Sequence, residues 1–527
     1  MSKLTYLLLL FFLSIVPSLL GGSSFYIEQK VYISVIGFLI MLACSGIYHS
    51  MVGKMITFVV TSLWTLNLSI SLFFYREHDI VFSSSIAETF INTNSSETIG
   101  MLSYNKYYVL FYAFVFAIYY FLIYKMSSFS NIKTAKRSLI IIILLMITTP
   151  IYKNLAIRPE NNNKLLVEYT FLYTPFYNAA ALVKTFHENR QIKKIASHHV
   201  NLHYDKVDDK PEFYILIIGE SVRRDHLGIY GYPYDTTPNL KKEKENILLF
   251  NQVYSPAPVT ILSVPISLSN IGLDQLQDKT HYADNIVSLA NHAGFKTYWL
   301  SNQGEGNQKT SVISVIANMA QNKQWNRFIG YDEELLPYLD KALSDKSSKK
   351  KLIILHTYGS HEPACNRFPS DELKSFTSQP DDNCYDSSIH YTDKFIGQII
   401  DKVKDKPASV LYFADHALQR LDKNREIHYH HGVHTPRQEA YNIPLFIWYS
   451  SLIDKPTINN DILSQPYSTA NNYWLLSDWL GIKHHSKKVC HSPLNECYKG
   501  APSIMVIDGN KYLFDYSKLK SEEQEPQ

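Results

Sequence analysis

A chain of 527 residues is long enough for two or three domains, and 51 basic against 48 acidic residues leave a net charge of only +3. No basic block stands out, which excludes the charged surface that nucleic-acid binding requires. Apolar residues crowd the first 155 positions in long runs while the rest has ordinary globular composition, a pattern of membrane anchor followed by soluble domain.

The apolar runs are Leu4–Leu20, Val31–Val52, Met55–Tyr75, Tyr107–Tyr124 and Leu139–Ile151, the last reaching spanning length only when counted as Ala135–Tyr152. No small-residue cleavage site follows the first, so five spans are expected over 1–155. Lys3, Lys54, Lys125, Lys133, Lys136 and Arg137 then share one side and the acidic loop 76–106 takes the other. The positive-inside rule places the N-terminus in the cytoplasm, and an odd number of spans exports everything after Tyr152. Four of the five cysteines lie on that exported side in two local pairs, Cys365 with Cys384 and Cys490 with Cys497, which predicts disulfides.

Lys164–Ala196 mixes aromatic and basic residues, as would a helix lying on the membrane interface or one packed on the soluble domain. With the polar His198–Lys210 it makes an interfacial helix and linker over 156–210. The soluble domain is expected over 211–516, and a charged tail over 517–527.

Phe213–Gly219 (FYILIIG) reads as a strand buried on both faces, delivering Glu220 to its tip. Similar runs follow at Leu248–Tyr254, Thr297–Ser301, Leu352–Leu355, Val410–Ala414 and Ile443–Tyr449. Helix candidates at Asp284–Ala293, Ser311–Gln321 and Ser387–Val403 lie between them. Such alternation predicts an α/β/α domain with a mostly parallel sheet. Successive strands end in Glu220, in Asn302-Gln303, in His356 with His361 five residues on, and in Asp415-His416. Ligands gather at the carboxyl ends of such strands. Eight of the 20 histidines fall between His356 and His434, and with the carboxylates they favour zinc. Thr260, before the apolar run ILSVPISLS, offers a hydroxyl for the metal to activate, with Ser255 and Ser263 as competitors and a helix N-cap as the plainer reading.

GESVRRDHLGIYGYPYDTTPNL resembles the G-E-[ST]-x-R-x-D-H-x-x-x-x-G-Y-x-x-x-T-x-P-x-L segment of membrane-anchored phosphoethanolamine transferases, in the alkaline phosphatase/sulfatase-like superfamily. VTILSVP, LHTYGSHEP, YDSSIHYTDKFIGQIID, ADH and HHG are similar to further motifs of that family, in the same order. The resemblance implies a zinc held by Glu220, Thr260, Asp415 and His416, with Thr260 as the nucleophile. It implies that His361 and His431 contact the transferred phosphate or a second zinc present during turnover, and that Asn302 lies near the donor headgroup. The implied reaction carries phosphoethanolamine from phosphatidylethanolamine to lipopolysaccharide, at a core sugar or lipid A, or to another periplasmic glycan. The enzyme would be a monomer in the inner membrane with its catalytic domain in the periplasm.

Three departures bear on the acceptor. The family's S-D-H-G-E-S reads ADHALQ over 414–419, Glu362 stands where Gly follows His361, and the cysteines flanking the nucleophile in lipid A-modifying members are absent. Two rivals are a phosphoglycerol transferase, disfavoured by motif order, and an inactive membrane protein that binds lipid, disfavoured by the complete ligand set.

Overall fold

The computed structural model describes residues 2–20, 27–78, 106–156, 182–183, 192, 194–195, 198, 200, 202–208, 212–303, 311–326, 330–423, 426–431 and 436–522. The chain divides near residue 185 into two compact units.

Among the described residues the first unit holds five helices, α1 (Lys3–Leu20), α2 (Ile27–Ile47), α3 (Met51–His78), α4 (Lys106–Ser127) and α5 (Ile132–Ala156). Leu10, Ile36, Trp64, Tyr119 and Ile142, one from each, meet in a common core. The outward surface reverses the order that water selects. On α3, Thr57, Thr61 and Thr65 are fully buried at a spacing of four, while Phe58, Leu63 and Leu66 are exposed. Thr65 satisfies its hydroxyl locally, donating to the Thr61 carbonyl at 2.8 Å. Of the five expected spans, Met51–Ile70 and Tyr107–Ser127 are long and apolar enough to cross a membrane among the described residues. Lys3–Ile15 and Val31–Ile47 are shorter apolar helices, and α5 opens on Lys133, Lys136 and Arg137.

The second unit is built on a seven-stranded sheet. Its strands are β1 (Phe213–Gly219), β2 (Ile247–Phe250), β3 (Lys296–Ser301), β4 (Asn322–Trp325), β5 (Lys351–His356), β6 (Ala408–Ala414) and β7 (Leu445–Tyr449). The order is β2-β7-β6-β1-β5-β3-β4, and β7 alone runs antiparallel to its neighbours. The central strand β1 sends Tyr214, Leu216 and Ile218 into one core and Ile215 and Ile217 into the other, which is why it reads as an unbroken apolar run. Helices α6 (Thr260–Leu268) and α7 (Pro380–Val403) pack against the sheet through buried residues such as Val264 and Phe395.

Several boundaries move. The run Leu248–Tyr254 splits into β2 and a two-residue strand Val253–Tyr254. The expected helix Lys164–Ala196 lies mostly outside the described residues, but Ile192 and Ile195 are fully buried in the second unit's core. Within the expected linker, Lys206–Val207 pairs with Ile482–Lys483. The expected tail is anchored as far as Glu522, whose amide donates to the Glu439 carboxylate at 3.1 Å. Disulfides join Cys365 to Cys384 and Cys490 to Cys497.

Candidate metal centre

Parallel pairing brings the carboxylates together before any side chain is considered. Gly219 at the end of β1 pairs with Ala414 at the end of β6, and the Asp415 amide donates to the Gly219 carbonyl at 2.9 Å. Glu220 and Asp415 therefore leave the sheet side by side, 1% and 0% exposed. The turn after Glu220 is tight: Ser221 has φ 60°, and its amide donates to Asp415 Oδ1 at 3.1 Å while its hydroxyl donates to Glu220 Oε1 at 2.6 Å. A non-glycine residue in that region costs on the order of 1–3 kcal/mol, here offset by the two bonds that fix both carboxylates. The loop after β5 closes over the same turn, with the Ser360 amide donating to the Glu220 carbonyl at 3.0 Å. Gly359, at φ +41°, is required there, since a Cβ would lie 2.7 Å from that carbonyl oxygen.

Val259, not Thr260, caps α6, and Thr260 is the first helical residue. Its hydroxyl donates to Glu220, 3.0 Å from Oε2 and 3.2 Å from Oε1, and lies 3.2 Å from His416 Nε2. The competing hydroxyls are elsewhere. Ser255 donates to the carbonyls of Ala257 and Asp415, and Ser263 is buried within α6. The His416 Nδ1 lies 2.9 Å from the Ala417 carbonyl, which can only accept, so Nδ1 carries a proton and Nε2 faces the cluster. From there Nε2 lies 3.3 Å from Glu220 Oε1 and 3.5 Å from Asp415 Oδ2.

Electrostatics make this an unbalanced site. Burial opposes ionisation of Glu220, but the hydrogen bond and charge of His416 outweigh it and hold the carboxyl well below its ordinary range. Burial and then the Glu220 charge push Asp415 up to about 7. His416 loses to burial and gains more from the Asp415 and Glu220 carboxylates, ending at about 9. Two buried carboxylates thus compete for one imidazolium. Asp415 Oδ2 is buried with no hydrogen-bond partner. Glu220, His416 and His431 each offer a ligand atom, all within 4.8 Å of one another. A divalent cation fits this nitrogen-and-oxygen donor set and would satisfy the orphaned oxygen.

The other candidate residues divide. His431 joins the cluster, its ring 4.8 Å from that of His416 and 5.7 Å from that of His361. His361 stacks on Tyr358 and gives its Nδ1 proton to the Glu362 carbonyl at 2.8 Å, leaving Nε2 as its reactive face. Burial, against the charge of Glu220, lowers its pKa and keeps it neutral. Asn302 does not reach the cluster: its amide donates to the Gly330 carbonyl and to Asp332, and its oxygen accepts from Asn326. Its neighbour Gln303 does reach the cluster, donating to Glu220 Oε2 and the Thr357 carbonyl, both at 2.8 Å. His356 is buried behind the loop against Trp299, with Nδ1 3.1 Å from the Ser301 hydroxyl.

A mostly parallel sheet with carboxylate, imidazole and hydroxyl groups on its carboxyl edge defines an alkaline-phosphatase/sulfatase-like α/β domain. The chain belongs to the sulfatase family, whose model matches residues 212–482, and a model of the transferase YhbX N-terminal domain matches residues 1–196. It is 33% identical over 518 residues to a protein of Escherichia coli (strain K12) named "Putative transferase YhbX", covering 96% of this chain and 93% of that one. It is 28% identical over 330 residues to the phosphoethanolamine transferase OpgE of the same organism, covering 61% of this chain and 60% of that one. The crystal structure of the C-terminal periplasmic domain of E. coli EptC in complex with Zn superposes with a TM-score of 0.54 at 25% identity, covering 60% of this chain and 95% of that domain. The integral membrane lipooligosaccharide phosphoethanolamine transferase A of Neisseria meningitidis shares the fold over 92% of this chain and 95% of its own, with a TM-score of 0.65 at 19% identity.

Proposed function

We propose that the protein is a zinc-dependent transferase of the inner membrane. It would carry phosphoethanolamine from phosphatidylethanolamine to lipopolysaccharide, at a core sugar or lipid A, or to another periplasmic glycan. The observation that carries this reading is the Thr260 hydroxyl, within 3.2 Å of both the Glu220 carboxylate and His416 Nε2 at the first residue of α6.

Zinc would be held by Glu220, Asp415, His416 and Thr260, with His431 at hand for it or for a second ion. Bound there, it lowers the pKa of a coordinated hydroxyl and neutralises charge on phosphoryl oxygens. Thr260 Oγ1 gives up its proton and attacks the donor phosphorus, the bond to the diacylglycerol oxygen breaks as that oxygen takes up a proton, diacylglycerol leaves, and the group rests on Thr260 as a phosphodiester. An acceptor hydroxyl or phosphate then attacks the same phosphorus and regenerates the threonine. His361, neutral with Nε2 unprotonated, fits the base that takes the acceptor's proton, and His431 fits the group that hydrogen-bonds the phosphoryl oxygens. The amide end of α6 favours the incoming anion.

The outward-facing Phe and Leu of the first unit support a membrane setting, as does the likeness to an integral membrane transferase. A diacyl donor stays in the bilayer, so the catalytic unit must be kept at its surface. Comparison of lipopolysaccharide and periplasmic glycans by mass spectrometry, between cells with wild-type protein and cells with Thr260→Ala, should show one phosphoethanolamine group lost from a single acceptor. An identical glycan profile would overturn the reading.

A further inference from the structure

Arg223, three residues beyond Glu220, is 4% exposed, an unusual place for a guanidinium. Its Nε and Nη2 donate to Asp225 at 3.0 and 2.7 Å, and its Nη1 donates to the Leu418 carbonyl at 3.3 Å. Nη1 also donates to both oxygens of Glu522, at 3.0 and 2.9 Å. Glu522 Oε1 accepts a second hydrogen bond, from the Arg420 amide at 2.6 Å. One carboxylate from the far end of the chain thus ties together the segment that follows Glu220 and the segment that follows His416. The Arg223 amide is fixed as well, donating to the Tyr385 hydroxyl at 2.9 Å, which itself donates to the Ser221 carbonyl at 2.6 Å.

The strap that brings Glu522 in is docked separately. The Gln438 amide donates to the Lys520 carbonyl at 3.0 Å, and the Glu439 carboxylate accepts from the Ser521 hydroxyl and the Glu522 amide. Anchoring the strap and bridging the two segments are therefore done by different groups, the first by the Ser521 hydroxyl, the Glu522 amide and the Lys520 carbonyl, the second by the Glu522 carboxylate.

We infer that Glu522 is a positioning residue for the metal centre, its carboxylate locking the Glu220 and Asp415-His416 segments at the spacing that binds the cation. Groups that hold metal ligands in place from behind typically change metal affinity or activity 10- to 100-fold when altered. The inference rests on the metal reading above, and the test separates the two.

Full-length protein purified in detergent, stripped with a chelator, would be titrated with zinc alone while thermal midpoints are recorded. Glu522→Gln should weaken zinc binding about tenfold, and Glu522→Asp should restore part of it. Glu439→Ala, which loosens the strap but leaves the Glu522 carboxylate able to reach Arg223 and the Arg420 amide, should lower zinc affinity less than Glu522→Gln does, whatever it does to the midpoint. Zinc affinity in Glu522→Gln equal to wild type, or lowered only as far as in Glu439→Ala, would overturn the inference. Wild-type protein that binds no zinc would overturn the metal reading beneath it instead. Should Glu522→Gln fail to fold, hydrogen exchange on wild-type protein decides: zinc should slow the amides of 519–522 together with those of 221–224, and a strap indifferent to zinc would contradict it.

Discussion

Placing Thr260 one residue inside α6 removes it from capping duty and turns its hydroxyl toward Glu220 and His416. From sequence, a threonine ahead of an apolar run reads first as a cap, and only the helix boundary distinguishes the two. Glu220 and Asp415-His416 were legible because residues just past the ends of paired parallel strands must emerge at one edge. Beyond β3, Asn302 bonds Asp332, Asn326 and the Gly330 carbonyl while the next residue, Gln303, bonds Glu220, so a contact with the cluster changes hands within one position. His431 follows the antiparallel strand pair Gln419–Lys423 and Glu426–His430, and its approach to His416 depends on the path of that pair, which spacing does not record. Asp415→Ala should cut zinc affinity by at least about tenfold, measured by elemental analysis after dialysis, and full occupancy would remove Asp415 from the ligand set. His356 gives a pH prediction. Burial lowers its pKa to about 4 against an unfolded value near 6.5, so the unfolded chain binds more protons in that window. Its contribution is whole above about pH 6.5 and falls by roughly 3 kcal/mol as the pH drops toward 4. Thermal midpoints of His356→Gln should fall less steeply over that range than wild type, and parallel curves would contradict the assignment.

Among the elements, strands with both faces buried announced themselves as apolar runs, and β1, β3, β5 and β6 lie where the runs were. The edge strand β4, sequence NKQW, did not, because it is bonded on one side only and needs no continuous apolar face. The apolar run over β7 carries no mark of its antiparallel direction, which is set by the connections. The polar sequence of the C-terminal segment reads as solvated tail, yet Glu522 has a buried arginine waiting for it, a pairing across 299 residues. Helix α3 shows the opposite case, since its threonines look like interruptions of a span until their common spacing of four places them inward. Phe114, exposed on α4, tests the membrane reading. Phe114→Lys should cost about 3 kcal/mol of insertion if that surface faces lipid, visible as protein lost from the carbonate-resistant membrane fraction. Unchanged partitioning would place the surface elsewhere.

At the level of the whole molecule, long apolar runs give way along the chain to strand-helix alternation, the chain divides into two units near residue 185, and the cysteine positions marked both disulfides. The central claim is that the phosphoethanolamine group passes through Thr260, and it can be tested without knowing the acceptor. Purified protein incubated with phosphatidylethanolamine alone should gain the mass of one phosphoethanolamine group, mapped by peptide fragmentation to Thr260 and missing from Thr260→Ala. No adduct on the zinc-loaded protein, or an adduct of the same mass that persists in Thr260→Ala, would contradict the account.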